Sequence, residues 1–269
     1  MPERDGLLLL SEAARAAGEV ALRHFRNAPA HWEKPGGAGP VSVADLEVDT
    51  MLRETLLSGR PGTGWLSEET PDGGGRLAHD EVFIVDPIDG TRSFIAGETA
   101  WAISLALARA GRVSAAVVYL PAADLFYSAT QDGPAMLNGR TIHVSDRLAL
   151  DGATLLASGR QLSPELWPGG APPVTRHFRP SLAWRLALVA EGRFDAMLTL
   201  GDAWEWDVAA GSLIAERSGA AVTGRGGRPA RFNNRHPVTP GMIAAPPALH
   251  AALIGRLLPE GRAEAAGTV

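Results

Sequence analysis

The chain of 269 residues contains no cysteine. Disulfides, thiolate nucleophiles, Cys-ligated zinc and iron–sulfur clusters are therefore excluded. Lysine is almost missing as well: of 25 basic residues, only Lys34 is lysine and the rest are arginine. Long apolar runs are also absent. The longest stretch without an acidic residue, Lys or Arg lies between Arg235 and Arg256. It carries Pro237, Pro240, Pro246 and Pro247, so it is not one spanning helix. Met1-Pro2-Glu3-Arg4-Asp5 followed by Leu7–Leu10 does not make a signal peptide, and the sequence predicts a cytoplasmic protein without a membrane partner. With 30 acidic residues the net charge is −5, which offers nothing to attract a nucleic-acid polymer. A 45% hydrophobic, 20% charged composition is that of a globular protein with a sizeable core.

Periodicity places the elements. Leu7, Leu10, Ala14, Ala17, Ala21 and Phe25 predict an amphipathic helix over about 5–27. A second helix is predicted from about Ser42, its N-cap, to Leu57. Short apolar runs then read as strands: Gly64–Leu66, Val82–Val85, a hairpin of Ala102–Ala108 and Val113–Tyr119 around Gly111, and Leu125–Ala129, with a turn at Asn138-Gly139. Later segments alternate: helix near 182–191, strand near 196–200, helix from about Asp207 to Ser218, and a last strand and helix after Gly241. The pattern is α+β or layered α/β. It reads as one compact unit with an N-terminal half (1–150) and a C-terminal half (151–269); the Gly/Pro-rich 168–173 is a surface loop.

Three acidic segments carry the chemistry. In Val85-Asp86-Pro87-Ile88-Asp89-Gly90-Thr91 a strand ends and two carboxylates follow three residues apart. Pro87 restricts one φ and Gly90 permits φ > 0, so both carboxylates and an intervening carbonyl can aim at one point. Oxygen ligands suit a hard cation such as Mg²⁺; the same residues also make an Asx-type β-turn. Taken alone, Glu68-Glu69 reads as a solvated turn, and Asp207 as an N-cap or first-turn acid that stabilises the helix dipole.

Together these segments resemble the inositol monophosphatase superfamily of metal-dependent, lithium-sensitive phosphomonoesterases. Asp86-Pro87-Ile88-Asp89-Gly90-Thr91 is similar to its D-P-[IL]-D-G-T signature, and Trp206-Asp207-Val208-Ala209-Ala210-Gly211 to W-D-x-A-A-G. Glu68-Glu69 matches its glutamate pair, and Val41-Ser42-Val43-Ala44-Asp45 its V-[TS]-x-A-D helix start. The resemblance implies a layered αβαβα sandwich with a largely antiparallel first sheet. It implies that Glu68, Asp86, the Ile88 carbonyl, Asp89 and Asp207 bind two or three Mg²⁺ ions, with Mn²⁺ as an alternative and Ca²⁺ and Li⁺ inhibitory. Glu68 and Thr91 would orient the attacking water, with Asp45 holding Thr91. Backbone groups of Gly90 and Thr91 would meet the phosphate, and Lys34 would lie near the metals. A homodimer acting on a small phosphomonoester is the family expectation.

Substrate choice is less sharply written. Arg92-Ser93-Phe94-Ile95, Glu205 before Trp206-Asp207, and Arg185 resemble bacterial 3'(2'),5'-bisphosphate nucleotidases. Substrate contacts are accordingly expected from Asp89, Gly90, Thr91, Arg92, Arg185, Glu205 and Asp207. Ser181-Leu182-Ala183 departs from the Gly-Ser usual there, and Arg185 reads equally as a surface residue of an amphipathic helix. Inositol-1-monophosphatase is the alternative, followed by histidinol phosphatase, fructose 1,6-bisphosphatase and a non-catalytic phosphate-binding homologue. Gly224–Arg228 reads as a hairpin turn, and Trp204 and Trp206 as pocket wall or core.

Overall fold

The computed structural model describes residues 2–37 and 39–257. In chain order the first half holds α1 (Pro2–His24), β1 (His31–Glu33), β2 (Pro40–Ser42), α2 (Val43–Gly59), β3 (Gly64–Ser67), β4 (Glu81–Asp89), α3 (Thr91–Ile95), β5 (Ala102–Arg109), β6 (Arg112–Leu120), β7 (Leu125–Thr130), β8 (Met136–Leu137) and β9 (Arg140–Thr141). The second holds β10 (Ala153–Leu156), β11 (Val174–His177), α4 (Leu182–Ala190), β12 (Ala196–Thr199), β13 (Ala203–Trp204), α5 (Glu205–Arg217), β14 (Ala221–Thr223), β15 (Val238–Thr239), β16 (Met242–Ala245) and α6 (Pro247–Ile254).

Seven strands form the first sheet in the order β3-β4-β5-β6-β7-β8-β9, antiparallel except for the β3–β4 pair. The second sheet runs β11-β10-β12-β16-β14 and is mixed. Side-chain alternation along β4 explains the layering. Phe83 and Val85 enter a core with Leu10, Ala14 and Ala17 of α1 and Val48, Leu52 and Leu56 of α2. Val82 and Ile84 enter the opposite core, with Leu186 and Val189 of α4 and Val208 and Leu213 of α5. That second core also takes Leu156, Met197 and Ala244 from the second sheet, whose far face packs Leu198 and Ile243 against Leu249 and Leu253 of α6. The layers are therefore α1/α2, sheet, α4/α5, sheet, α6: the expected αβαβα sandwich. No helix among the described residues is long and apolar enough to cross a membrane.

Three boundaries differ from the sequence reading: β4 runs on through a bulge to Asp89, where the sequence reading ends the strand at Val85 and places a turn. α1 ends at His24, and the chain then turns through positive φ at Arg26 and Ala28. α5 starts at Glu205 rather than near Asp207, because β13 pairs with β15 and the Glu205 N–H donates to the Pro237 carbonyl at 2.9 Å.

Candidate active site

β4 delivers two carboxylates through a break in its own regularity. Asp86 pairs with Ser104 and Asp89 with Ala102, so three steps on β4 match two on β5: a β-bulge. In a regular strand, residues three apart point to opposite faces. The extra residue restores Asp89 to the side of Asp86, while Ile88 is buried in the α1/α2 core. The Ile88 N–H donates to Asp86 Oδ1 at 3.0 Å, and Pro87 has no donor to lose. Gly90 then takes φ +103°, and a Cβ there would lie 3.0 Å from the Ala100 carbonyl, so glycine is required twice over.

Glu68 follows β3, whose last residues run beside β4: its N–H donates to the Val85 carbonyl at 3.2 Å. Asp207 lies in the first turn of α5. One oxygen from each of Glu68, Asp86 and Asp207 can be chosen so that all three lie within 4.8 Å of one another. Asp86 is buried, the other two are half-buried, and Asp207 makes no side-chain hydrogen bond among the described residues. Burial, then the fields of Glu68, Asp89 and Asp207, push the Asp86 carboxyl well above its ordinary range. Burial and the fields of Asp89 and Glu68 do the same to Asp207. Concentrated negative charge with few donors and an all-oxygen ligand set fits a hard divalent cation.

Asp89 stands beside this trio. Its Oδ2 accepts from Ser181 Oγ at 2.6 Å and from the Ala183 N–H at 2.7 Å, tying β4 to the start of α4. Its Oδ1 has no hydrogen bond among the described residues, and burial raises its pKa to about 6 against the pull of those two donors.

Asp45 lies in the first turn of α2, where Ser42 and Asp45 form a capping box. Asp45 Oδ2 accepts from the Ser42 N–H at 2.8 Å and from its hydroxyl, while Oδ1 lies 3.1 Å from Thr91 Oγ1. Thr91 Oγ1 is also 3.1 Å from the Ile88 carbonyl. Lys34 Nζ donates to Glu68 Oε1 and to Glu69 Oε1, each at 2.7 Å. Burial opposes its charge, but the two glutamates outweigh burial and hold the ammonium above its ordinary pKa. Burial lifts Glu69 to about 7, with the Lys34 hydrogen bond acting the other way.

Arg185 on α4 is only 6% exposed, against the surface alternative. Its Nε donates to the Arg179 carbonyl, its guanidinium lies 4.6 Å from the Phe178 ring centroid, and its terminal nitrogens make no hydrogen bond among the described residues. Burial lowers its pKa while Asp89 and Asp207 raise it, so its charge senses the cluster. Arg92 is exposed on α3 and makes no side-chain hydrogen bond among the described residues. Glu205 is fully buried: its Oε2 accepts from the Asn233 N–H at 2.7 Å, and its Oε1 accepts from the Asn234 N–H at 2.9 Å and from Asn234 Nδ2 at 2.7 Å. Trp204 and Trp206 stack with centroids 4.7 Å apart at 6°.

Sequence reasoning missed Asp49 and Ser181. Asp49, one turn along α2 from Asp45, accepts from Ser67 Oγ and from Thr70 Oγ1 at 2.6 Å, and so holds both ends of the Glu68-Glu69 corner. The signal available was the i, i+4 spacing of two aspartates on one helix face.

A layered αβαβα sandwich gathers carboxylates after β3, on β4 and in the first turn of α5 at one end, an all-oxygen set of the kind a metal-dependent hydrolase uses. A sequence profile described as "Inositol monophosphatase family" matches residues 5–261, and the chain belongs to that family of phosphomonoester hydrolases. It is 37% identical over 248 residues to an inositol-1-monophosphatase of Rhizobium meliloti, covering 84% of this chain and 89% of that one. It is 31% identical to a putative Nus factor SuhB of Neisseria meningitidis serogroup B, covering 80% and 85%. Among solved structures, an IMPase of Thermotoga maritima aligns with a TM-score of 0.77 and 26% identity, over 91% of this chain and 93% of that one.

Proposed function

We propose that the chain releases inorganic phosphate from a small phosphomonoester with the help of Mg²⁺. The convergence of Glu68, Asp86 and Asp207 oxygens within 4.8 Å carries this reading. These residues, with Asp89 and the Ile88 carbonyl, would hold the ions. When bound, the ions supply charge neutralisation on the phosphoryl oxygens and a lowered pKa for the attacking water. The chain's own groups then position the reactants. Thr91 Oγ1, oriented by Asp45 Oδ1, and Glu68 hold the water. The N–H groups of Gly90 and Thr91, which open α3, meet phosphate oxygens.

For the ester itself, the name borne by the Rhizobium relative favours an inositol monophosphate. A second reading, a 3'(2'),5'-bisphosphate nucleotide, draws on Arg185: a buried guanidinium with free terminal N–H groups suits a further phosphate. The test is kcat/KM for inositol 1-phosphate, 3'-phosphoadenosine 5'-phosphate, histidinol phosphate and fructose 1,6-bisphosphate, with and without Mg²⁺. Phosphate release that survives EDTA would overturn the metal reading. Under the first reading inositol 1-phosphate leads and Arg185→Ala changes its kcat/KM less than about threefold. Under the second the bisphosphate nucleotide leads and loses about tenfold or more in that variant.

A further inference from the structure

Glu205 has the position of a site residue but the contacts of an anchor. Both of its oxygens are held by Asn233 and Asn234. The same two asparagines are gripped from the other side by Arg76, whose side chain is fully buried. Arg76 Nη1 donates to Asn233 Oδ1 and Nη2 to the Asn234 carbonyl at 2.7 Å, while Asp72 Oδ2 accepts from Nη2 at 2.8 Å. Asn233 sits at φ +61°, a left-handed conformation that such paired anchoring sustains. Arg76 is in turn pressed on β3: a Cβ at Gly64 would lie 3.1 Å from the Arg76 Cα. The circuit thus starts on the strand that Glu68 follows, crosses Arg76 and the 233–234 turn, and returns through Glu205 to Asp207 two residues on.

We infer that this strap sets the spacing between Glu68 and Asp207, and that Glu205 and Asn234 are positioning residues for the metal centre. The inference rests on the metal-site reading of those two carboxylates. Leu66 of β3 and Val208 of α5 share a core, and Ser104 Oγ donates to the Trp206 carbonyl at 2.9 Å; the strap adds the polar link that runs from β3 to Glu205 itself. A side chain fixed through another's hydrogen bonds behaves like an outer-shell partner, whose loss costs about 10- to 100-fold in metal affinity.

The experiment is Mg²⁺ titration by calorimetry on the full chain, without substrate, with circular dichroism to establish folding. Glu205→Gln replaces an acceptor oxygen by an amide facing N–H donors and should weaken Mg²⁺ about tenfold or more. Asn234→Ala removes the side-chain bond to Glu205 together with those to the Arg231 and Val238 carbonyls, leaves the backbone donor to Glu205, and should shift affinity the same way by a smaller factor. Glu81→Gln loosens an ion-paired carboxylate at the far end of β4 and should leave the Mg²⁺ affinity within twofold. Mg²⁺ affinity within twofold of wild type in both strap variants overturns the inference, and if Glu205→Gln does not fold, Asn234→Ala decides alone. So does a rise in substrate KM at saturating Mg²⁺ with metal affinity unchanged, which marks Glu205 as a substrate contact instead. Wild-type protein that binds no Mg²⁺ removes the metal-site reading itself and the strap with it.

Discussion

Lys34 Nζ touches two carboxylate oxygens at once, each at 2.7 Å, with 15% of its side chain exposed. An ammonium is a compact point charge that can donate in several directions, whereas a guanidinium is a rigid planar fork that needs more room. In a chain otherwise committed to arginine, this spot keeps the smaller cation. Lys34→Arg is expected to lower kcat/KM by about tenfold or more while leaving the melting temperature within a few degrees, as phosphate-release kinetics and calorimetry would show. An unchanged kcat/KM would make the single lysine an accident of composition. At this scale the sequence was most informative where chemistry concentrates in a short motif. Asp86, Asp89 and Asp207 were legible because their motifs together resemble family signatures; each segment alone reads as a turn or a helix-start acid. Asp49 and Ser181 were not, since their partners lie 18 and 92 residues away and only folding brings them together.

Elements were legible in proportion to their length. α2, α4 and the β5–β6 hairpin carry enough periodic side chains to declare themselves. β1, β2, β13 and β15 are two or three residues each and carry no pattern, so pairing alone reveals them. The bulge in β4 depends on the register of a neighbour and is invisible in the chain itself. Between α4 and α5, Gly211 permits a close approach: a Cβ there would lie 2.6 Å from Leu186 Cβ and 3.1 Å from the Ala183 carbonyl. The Ala183 N–H holds Asp89, so this contact also touches the site. Gly211→Ala should cost about 1–3 kcal/mol by overpacking, read as a lower midpoint in urea unfolding. Gly211→Val should cost more. A variant as stable as wild type would mean that the helix pair is softer than its spacing suggests.

Over the whole molecule, the gathered carboxylates oppose metal-free folding. Glu69 at about 7 and Asp89 at about 6 bind protons more tightly folded than unfolded, where ordinary values are near 4. Between pH 4 and 7 these two groups therefore hold more protons in the native state, and their contribution to stability falls as pH rises. That contribution is fully present below about pH 4 and lost as pH climbs through 6 and 7. The melting temperature of EDTA-treated protein is expected to drop from pH 5.5 to 8. In excess Mg²⁺ the increment gained from the ion should grow over the same range, because the ion binds deprotonated carboxylates. A metal-free melting temperature that rises with pH would contradict this account. The layering was legible through the family resemblance and the strand-rich middle of the sequence, but the seam at which α4 and α5 lie between the two sheets was not written in any one segment. The extra residue in β4 has a last consequence, for sidedness rather than energetics. It acts as a parity switch: before it, even-numbered side chains face the site, and after it odd-numbered ones do. Pairing the same residues in unbroken register would change nothing in composition, yet it would turn Asp89 into the oily layer beneath α2. Which face Asp89 reaches is thus decided by how β4 is counted against β5, and not by the spacing of the two aspartates alone.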